Sequence, residues 1–448
     1  MSPSHWFVAK ADLASYAVAL LLLVASPSAP VFGEEAGALE YPGLVLGRDW
    51  PWWRGPYRNG MVNTVTGNGL AGAELPIVWK SPIAGRGHAS PIVVGDRIYL
   101  TTALEGDKSK EGIQAVLAFD RRTGQQVWRT DVNQGGLPEK IHRKNTHATP
   151  TLASDGQRLY VVFVHHDAVH LTAMTLAGEQ QWTVTVGPFQ PQRYEFGYAP
   201  SPVLYRELVI VSSEFDGDSA VRGLDRSTGK LVWRTPRPVN ISYSTPMFAH
   251  VANQDQLFMS GGGQVCSYDP ATGKQLWATA GTTAATCGTM VWDQDVVMAS
   301  GGYPDPETTA VRADGSGTVL WKNKQKCYEQ SMLAHNGYLY GLTDRGILFC
   351  WRIQDGHEMW KERLEGPVSA SPVLVGDQIY WANEKGLCYV FRANPEKFDL
   401  ITQHQWGEEA FASPAVVGGQ FFIRTATGHD AERQEWLICA GQTSDTNK

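Results

Sequence analysis

DRRTGQQVW (Asp120–Trp128), DRSTGKLVW (Asp225–Trp233) and DPATGKQLW (Asp269–Trp277) are one string, Asp-x-x-Thr-Gly-x-x-x-Trp, written three times. Its chemistry is that of a hairpin turn. The Asp side chain accepts local backbone hydrogen bonds, and the Gly takes a positive φ that other residues resist. A strand carrying the tryptophan follows directly.

Outward from these strings the tryptophans keep time. Trp79, Trp128, Trp182, Trp233, Trp277, Trp321, Trp360 and Trp406 stand 39 to 54 residues apart, the length of a four-stranded unit with its turns. Six of the eight have glycine four residues earlier, at Gly124, Gly178, Gly229, Gly273, Gly317 and Gly356. Repeats of this period are the mark of arrays and propellers. A second marker follows each tryptophan, where Ser or Thr leads into an apolar strand: Ser90, Thr149, Ser201, Thr245, Thr289, Ser331, Ser371 and Ser413. Between the markers, segments such as Ile92 to Thr102 and Val373 to Ala382 show two β-rich runs broken by Gly, Asp or Asn, which predicts strand, tight turn, strand.

Eight such units without helical periodicity predict an all-β chain folded as an eight-bladed β-propeller with four-stranded antiparallel blades, since a radial array leaves only short sheet edges. The last unit lacks its final tryptophan strand and the first tryptophan lacks a unit. Placing Ile77 to Trp79 as the outermost strand of the eighth blade closes the ring and solves both problems. The eight tryptophans are then read as docking each blade onto the next.

The remaining segments are short. Lys10 precedes an apolar run from Leu13 to Ala25, too short to span a hydrocarbon core that needs about 20 residues, and it reads as a signal peptide over 1–33. Residues 34–73 form an N-terminal arm with a Trp-rich leader, 74–440 the propeller and 441–448 a polar tail. The chain is therefore expected to be exported, to the periplasm or beyond, with no membrane span in its mature part and as a monomer. A net charge of -7 argues against nucleic acid as a partner, because phosphate binding needs a cationic face. No Gly-x-Ser-x-Gly, Walker or His-Glu-x-x-His motif gives hydrolase or nucleotide chemistry a foothold.

The recurring string with eight blades resembles the quinoprotein-type propeller, the fold of pyrroloquinoline quinone (PQQ) dehydrogenases and of an outer-membrane assembly lipoprotein with the same repeat. The leader Asp49-Trp50-Pro51-Trp52-Trp53-Arg54-Gly55-Pro56, with Arg58 and Gly60, is similar to that of exported PQQ-like propellers of planctomycete type. The resemblance implies the fold over about residues 74 to 440. In the dehydrogenases it implies a vicinal Cys-Cys disulfide, a calcium set and a catalytic Asp. This chain has no adjacent cysteines, so no catalytic residue carries over. The lipid-bearing cysteine of the lipoprotein is missing too. The expectation is a non-catalytic binding or scaffold module for a protein or cell-envelope polymer, without a cofactor. The alternatives are a PQQ-dependent dehydrogenase with an atypical site, holding PQQ with calcium, and a glycan-active enzyme using Glu329; a lone carboxylate lacks the partner that glycoside hydrolysis needs.

Positions two before each marker should ring the channel mouth: His88, His147, Ala199, Tyr243, Cys287, Glu329, Ser369 and Phe411. No metal site is expected from this set, because zinc needs three or four converging ligands. The two longest connections, after Trp128 and Trp182, flank the second blade; the first carries Lys140, His142, Arg143, Lys144 and Asn145 and the second Gln190, Arg193, Tyr194, Glu195, Phe196 and Tyr198, a basic and aromatic mixture suited to recognition. The candidates for ligand or partner binding are thus His88, Arg143, His147, Arg193, Tyr194, Tyr198, Tyr243 and Glu329. Cys287 and Cys327 precede neighbouring blades and are a candidate disulfide, subject to a Cα separation below about 7 Å. Asp216-Gly217-Asp218 reads as a hairpin turn in preference to a calcium loop, and Trp52-Trp53-Arg54 as packing the arm onto the propeller in preference to stacking on a ligand.

Overall fold

Each Asp-x-x-Thr-Gly turn builds itself from local bonds. Asp225 Oδ1 accepts from the backbone N–H groups of Ser227 and Thr228 (3.0 and 2.8 Å) and from both their hydroxyls, and these bonds, led by that of the Ser227 hydroxyl, hold its carboxyl below the usual range. Gly229 closes the turn at φ 72°. Its missing side chain also has a use, because a Cβ there would lie 2.9 Å from Cε3 of Trp182 on the preceding blade. The same embrace joins Trp128 to Gly178, Trp233 to Gly273 and Trp321 to Gly356. One string thus supplies both halves of a joint: its glycine receives the indole of the blade before, and its tryptophan reaches the blade after.

In the computed structural model, which describes residues 1–2, 41–62, 74–104 and 111–441, these units form eight antiparallel sheets. Blade one comprises Ile92–Val94, Arg97–Leu104, Ile113–Asp120 and Gln126–Gln134, inner to outer, and the later blades repeat that order. Each outer strand carries a register shift beside its tryptophan position, which bends the strand and turns the indole toward the neighbouring blade. The eighth blade takes Ala415–Val417, Gln420–Thr427 and Gln434–Gly441 from the C-terminal part and its outer strand, Ile77–Ile83, from the start, paired antiparallel as Trp79 with Cys439. The ring is shut as the orphaned tryptophan implies. Blade seven departs from the pattern. Thr402 occupies the register of the indole, opposite Val390, and Trp406 instead follows the strand and docks from there on Phe421 of blade eight, ring centroids 5.6 Å apart.

The Ser/Thr markers hold the inner strands in a belt. The N–H groups of Ser90, Thr151, Ser201, Thr289, Ser331 and Ser371 donate to the hydroxyls of Thr151, Ser201, Thr245, Ser331, Ser371 and Ser413 at 2.7–3.0 Å, one blade to the next. Each marker stands two residues before its inner strand. In blade two that residue is Thr151, ahead of Ala153–Ser154, and not Thr149 as the Ser/Thr-Pro pattern suggests.

The arm runs along the inner strands. Trp50 bridges Val93 of blade one, Pro51 O accepts from Ser154 N of blade two, Arg58 Nη2 donates to Leu204 O of blade three, and Met61–Val62 pair in parallel with Leu374 and Val375 of blade seven. Trp52 is wholly buried, with the Arg58 guanidinium 4.1 Å from its ring. Arg54 Nη2 reaches Met332 O of blade six, and burial lowers its pKa to about 9. The arm therefore ties together the inner strands of blades one, two, three, six and seven. Two units divide the chain, 1–36 and 37–448, and all of this belongs to the second. The proposed leader and tail lie outside the described residues, apart from residues 1–2 and Gly441. Among the described residues no helix is long and apolar enough to cross a membrane.

Candidate functional site

The two long connections pack on each other above the channel mouth. Asn145 Nδ2 donates to Phe196 O at 2.6 Å, His142 meets the Phe196 ring edge-on at 5.1 Å, and Tyr243 OH donates to Tyr194 O at 3.1 Å. The second connection is pinned from below, where the Asp216 carboxylate accepts from the N–H groups of Gln192 and Arg193. That use, and Asp218 pairing with Arg222 and Arg234, fits a hairpin turn at Asp216–Asp218.

Beneath them lies a cavity of about 250 Å³. It is walled by the positions two before each marker, and seven of the eight expected ring residues line it: His88, Ala199, Tyr243, Cys287, Glu329, Ser369 and Phe411. His147 does not. The marker of blade two is Thr151, so Thr149 takes the ring position, and His147 faces a second small cavity beside Phe163 and Tyr198. The floor is Trp53, whose Nε1 donates to Thr289 Oγ1 at 2.9 Å. The arm packs on the propeller and, through Trp53, also supplies a wall of the site.

Charge at the mouth is concentrated on one side. Lys144, from the first long connection, reaches across to Glu384 at 2.7 Å and Glu329 at 3.4 Å, and the Ser369 hydroxyl lies 2.6 and 2.7 Å from the same two carboxylates. Burial works against the Lys144 ammonium, but the hydrogen bond to Glu384 and the charges of both carboxylates outweigh it and raise its pKa. On the other side His88 stacks on Phe411 at 4.4 Å. Burial, reinforced by Arg424, Arg86 and Arg433, keeps its pKa well below the ordinary value, so the ring is neutral at pH 7, and its Nε2 has no hydrogen-bond partner among the described residues. Burial likewise pushes the Cys287 thiol and the Tyr243 and Tyr328 phenols up.

The other candidates scatter. Arg143 and Arg193 are exposed on the rim and line no part of the cavity. Tyr194 packs edge-on against Tyr303 at 5.3 Å. Tyr198 is buried, its hydroxyl donating to Ser212 O at 2.6 Å, so it is a core residue and not a contact surface. The expected Cys287–Cys327 disulfide is absent, both being free thiols. The residue equivalent to Cys287 in the next blade is Glu329; Cys327, two positions earlier, turns into the blade-six core beside Gly341 and Trp351. Between the two long connections opens a groove of about 780 Å³, lined by residues including Leu137, Pro138, Lys140, Gln190 and Glu195. Among the described residues no group of three or more His, Cys, Asp or Glu is arranged to hold a metal ion.

Reading the sequence missed Glu384, and it singled out Lys144 and Trp53 without assigning either to the mouth. Lys144 was visible as part of an overlong connection, but Glu384 sits in a tight turn of blade seven, off the marker register, and gave no signal.

Known proteins share this architecture. The outer membrane protein assembly factor BamB of Burkholderia pseudomallei (strain K96243) is 24% identical over 372 residues, 79% of this chain and 87% of that protein. The crystal structure of BamB from Moraxella catarrhalis superposes with a TM-score of 0.59 at 13% identity, covering 84% of this chain and 100% of that one. Quinohemoprotein alcohol dehydrogenase from Comamonas testosteroni superposes at 0.66, also at 13% identity, covering 89% and 81%. At these identities the structural likenesses show the fold alone. A family profile described as outer membrane protein assembly factor BamB matches residues 112–362, more than half of the sequence, and the chain therefore belongs to that family of PQQ-like propellers.

Proposed function

We propose that the protein is an exported, non-catalytic scaffold that binds a partner through its mouth face, the partner being a protein or a cell-envelope polymer. The observation that carries this reading is the pair of long connections, which break the eightfold symmetry, pack on each other and enclose the groove of about 780 Å³ beside the mouth cavity. Loops held on a rigid scaffold are where recognition residues gather. A relative named an outer membrane protein assembly factor favours a protein partner over a polymer. Export rests on the apolar run at 13–25 and a monomer on the absence of any need for a second copy to close the ring.

The donor set at the mouth supports a cofactor-free reading and does not fit PQQ with calcium. PQQ is a polyanion that needs cationic donors, whereas Lys144, the one ammonium lining the mouth cavity among the described residues, is already engaged by two carboxylates. Calcium prefers six to eight oxygens, and the two carboxylates here are bridged by a hydroxyl and an ammonium.

The test replaces Arg143, Arg193 and Tyr194 together with alanine and repeats a capture experiment from envelope extract. The expected result is loss of the specifically captured partner. An unchanged captured set contradicts recognition by this face.

A further inference from the structure

The anionic corner of the mouth is poor in donors. Glu329 and Glu384 present four carboxylate oxygens, yet among the described residues the side-chain donors that reach both are one Ser369 hydroxyl, whose single proton serves one carboxylate at a time, and the Lys144 ammonium. Two negative charges meet one positive charge. The rest of the cavity is aromatic: Trp53 forms its floor, and Phe196, Tyr243, Tyr328 and Phe411 its walls. Aromatic faces joined to carboxylates suit an alkylammonium, whose methylene stem packs on the rings while its head finds negative charge. His88 Nε2, buried and without a hydrogen-bond partner among the described residues, adds a polar group still to be satisfied.

The present occupant is itself such a group. Lys144 arrives on a connection between blades one and two and crosses to the turn of blade seven, its side chain 27% exposed and that of Glu384 10% exposed. A surface ion pair between mobile side chains gains little; a partly buried carboxylate pair left without a cation is costly. The tether thus keeps the corner neutralised when nothing else fills it, and a free ammonium of the same chemistry can take its place.

We propose that the mouth cavity is a receptor for a primary alkylammonium group, either a lysine side chain or a free amine, that exchanges with Lys144 on the Glu329–Ser369–Glu384 corner. This deepens the reading of the mouth face as a docking surface and rests on it for the biological source of the ligand. It needs no partner to be tested.

The probe is n-butylammonium, the lysine side chain without its backbone, titrated into the full chain and into Lys144→Ala and Lys144→Met variants by calorimetry and thermal melting. Either variant is expected to bind it at least tenfold more tightly than the wild type, where Lys144 competes, and to regain its lost melting temperature in the amine but not in equal sodium chloride. Adding Glu384→Gln to either variant is expected to abolish the recovery. A peptide bearing one lysine, compared with butylammonium, distinguishes the sources: tighter binding of the peptide points to a lysine presented by a partner, and equal or weaker binding to a free amine. The proposal is overturned if neither Lys144 variant responds to the amine beyond the salt control, or if the response survives Glu384→Gln. Failure here leaves the capture experiment on the loop face standing, and loss of capture there leaves the amine titration standing.

Discussion

Gly229 shows how one residue serves two blades. It stands at φ 72° and its Cα faces the Trp182 indole, so any side chain meets both a conformational penalty and a collision. Gly229→Ala is expected to cost about 2 kcal/mol or more, the left-handed backbone contributing about 1 kcal/mol and overpacking the rest, as read by chemical denaturation. A second residue-level expectation concerns histidines. Burial lowers the pKa of His88, His165 and His170, that of His165 to about 4. A folded-state pKa below the unfolded value of about 6.5 means that the unfolded chain binds more protons. Stability is therefore full above about pH 6.5 and falls as pH drops toward 4. Denaturation midpoints at pH 7 and pH 5 check this, and His165→Gln is expected to shrink the difference. At this scale the sequence was legible where chemistry is local: Asp225 and Gly229 announce their turn because their bonds lie within five residues. Tyr198 was misjudged because a tyrosine on a long connection carries no local sign that its hydroxyl ends in the core on Ser212.

Among elements, the inner-strand belt and the arm decide where the site lies. The marker register places His88, Tyr243, Glu329 and Phe411 around the cavity wall because each stands two residues before a marker whose backbone N–H or hydroxyl bonds a neighbouring blade's marker. His147 misses that wall since the Thr149-Pro150 pair imitates the marker while Thr151 performs it. Two candidate hydroxyls two residues apart satisfy the same pattern, and only pairing with the neighbouring blade separates them. The arm is a stronger case of the same limit. Its contacts run from Trp50 with Val93 to Met61 with Leu374, so nothing local told how deeply Trp52 is buried or that Trp53 lines the cavity. Trp52→Ala is expected to destabilise the protein by about 3–5 kcal/mol, the range for emptying a buried indole site. Thermal melting checks it, and loss of the amine response at the mouth is expected to accompany it as Trp53 loses its support.

The molecule as a whole was the most legible level. A ring of eight equivalent units follows from eight tryptophans, and closure by Ile77–Ile83 follows from one tryptophan too many at the start and one strand too few at the end. The seam so formed is reinforced by a buried charge: Arg424 of blade eight, paired with Glu435, donates to Thr101 O of blade one at 2.6 Å. The same regularity says little about activity, because indoles that join blades do so in enzymes and scaffolds alike. In the proposed reading, function is carried instead by what breaks the symmetry, namely the long connections, the arm and the acidic corner held by Lys144. That corner sets the account against quinone chemistry, and one measurement decides between them. Purified protein is dialysed against PQQ with calcium, then assayed for retained quinone absorbance and for dye reduction with alcohols and sugars. The account expects neither retention nor turnover; stoichiometric retention with turnover would contradict it.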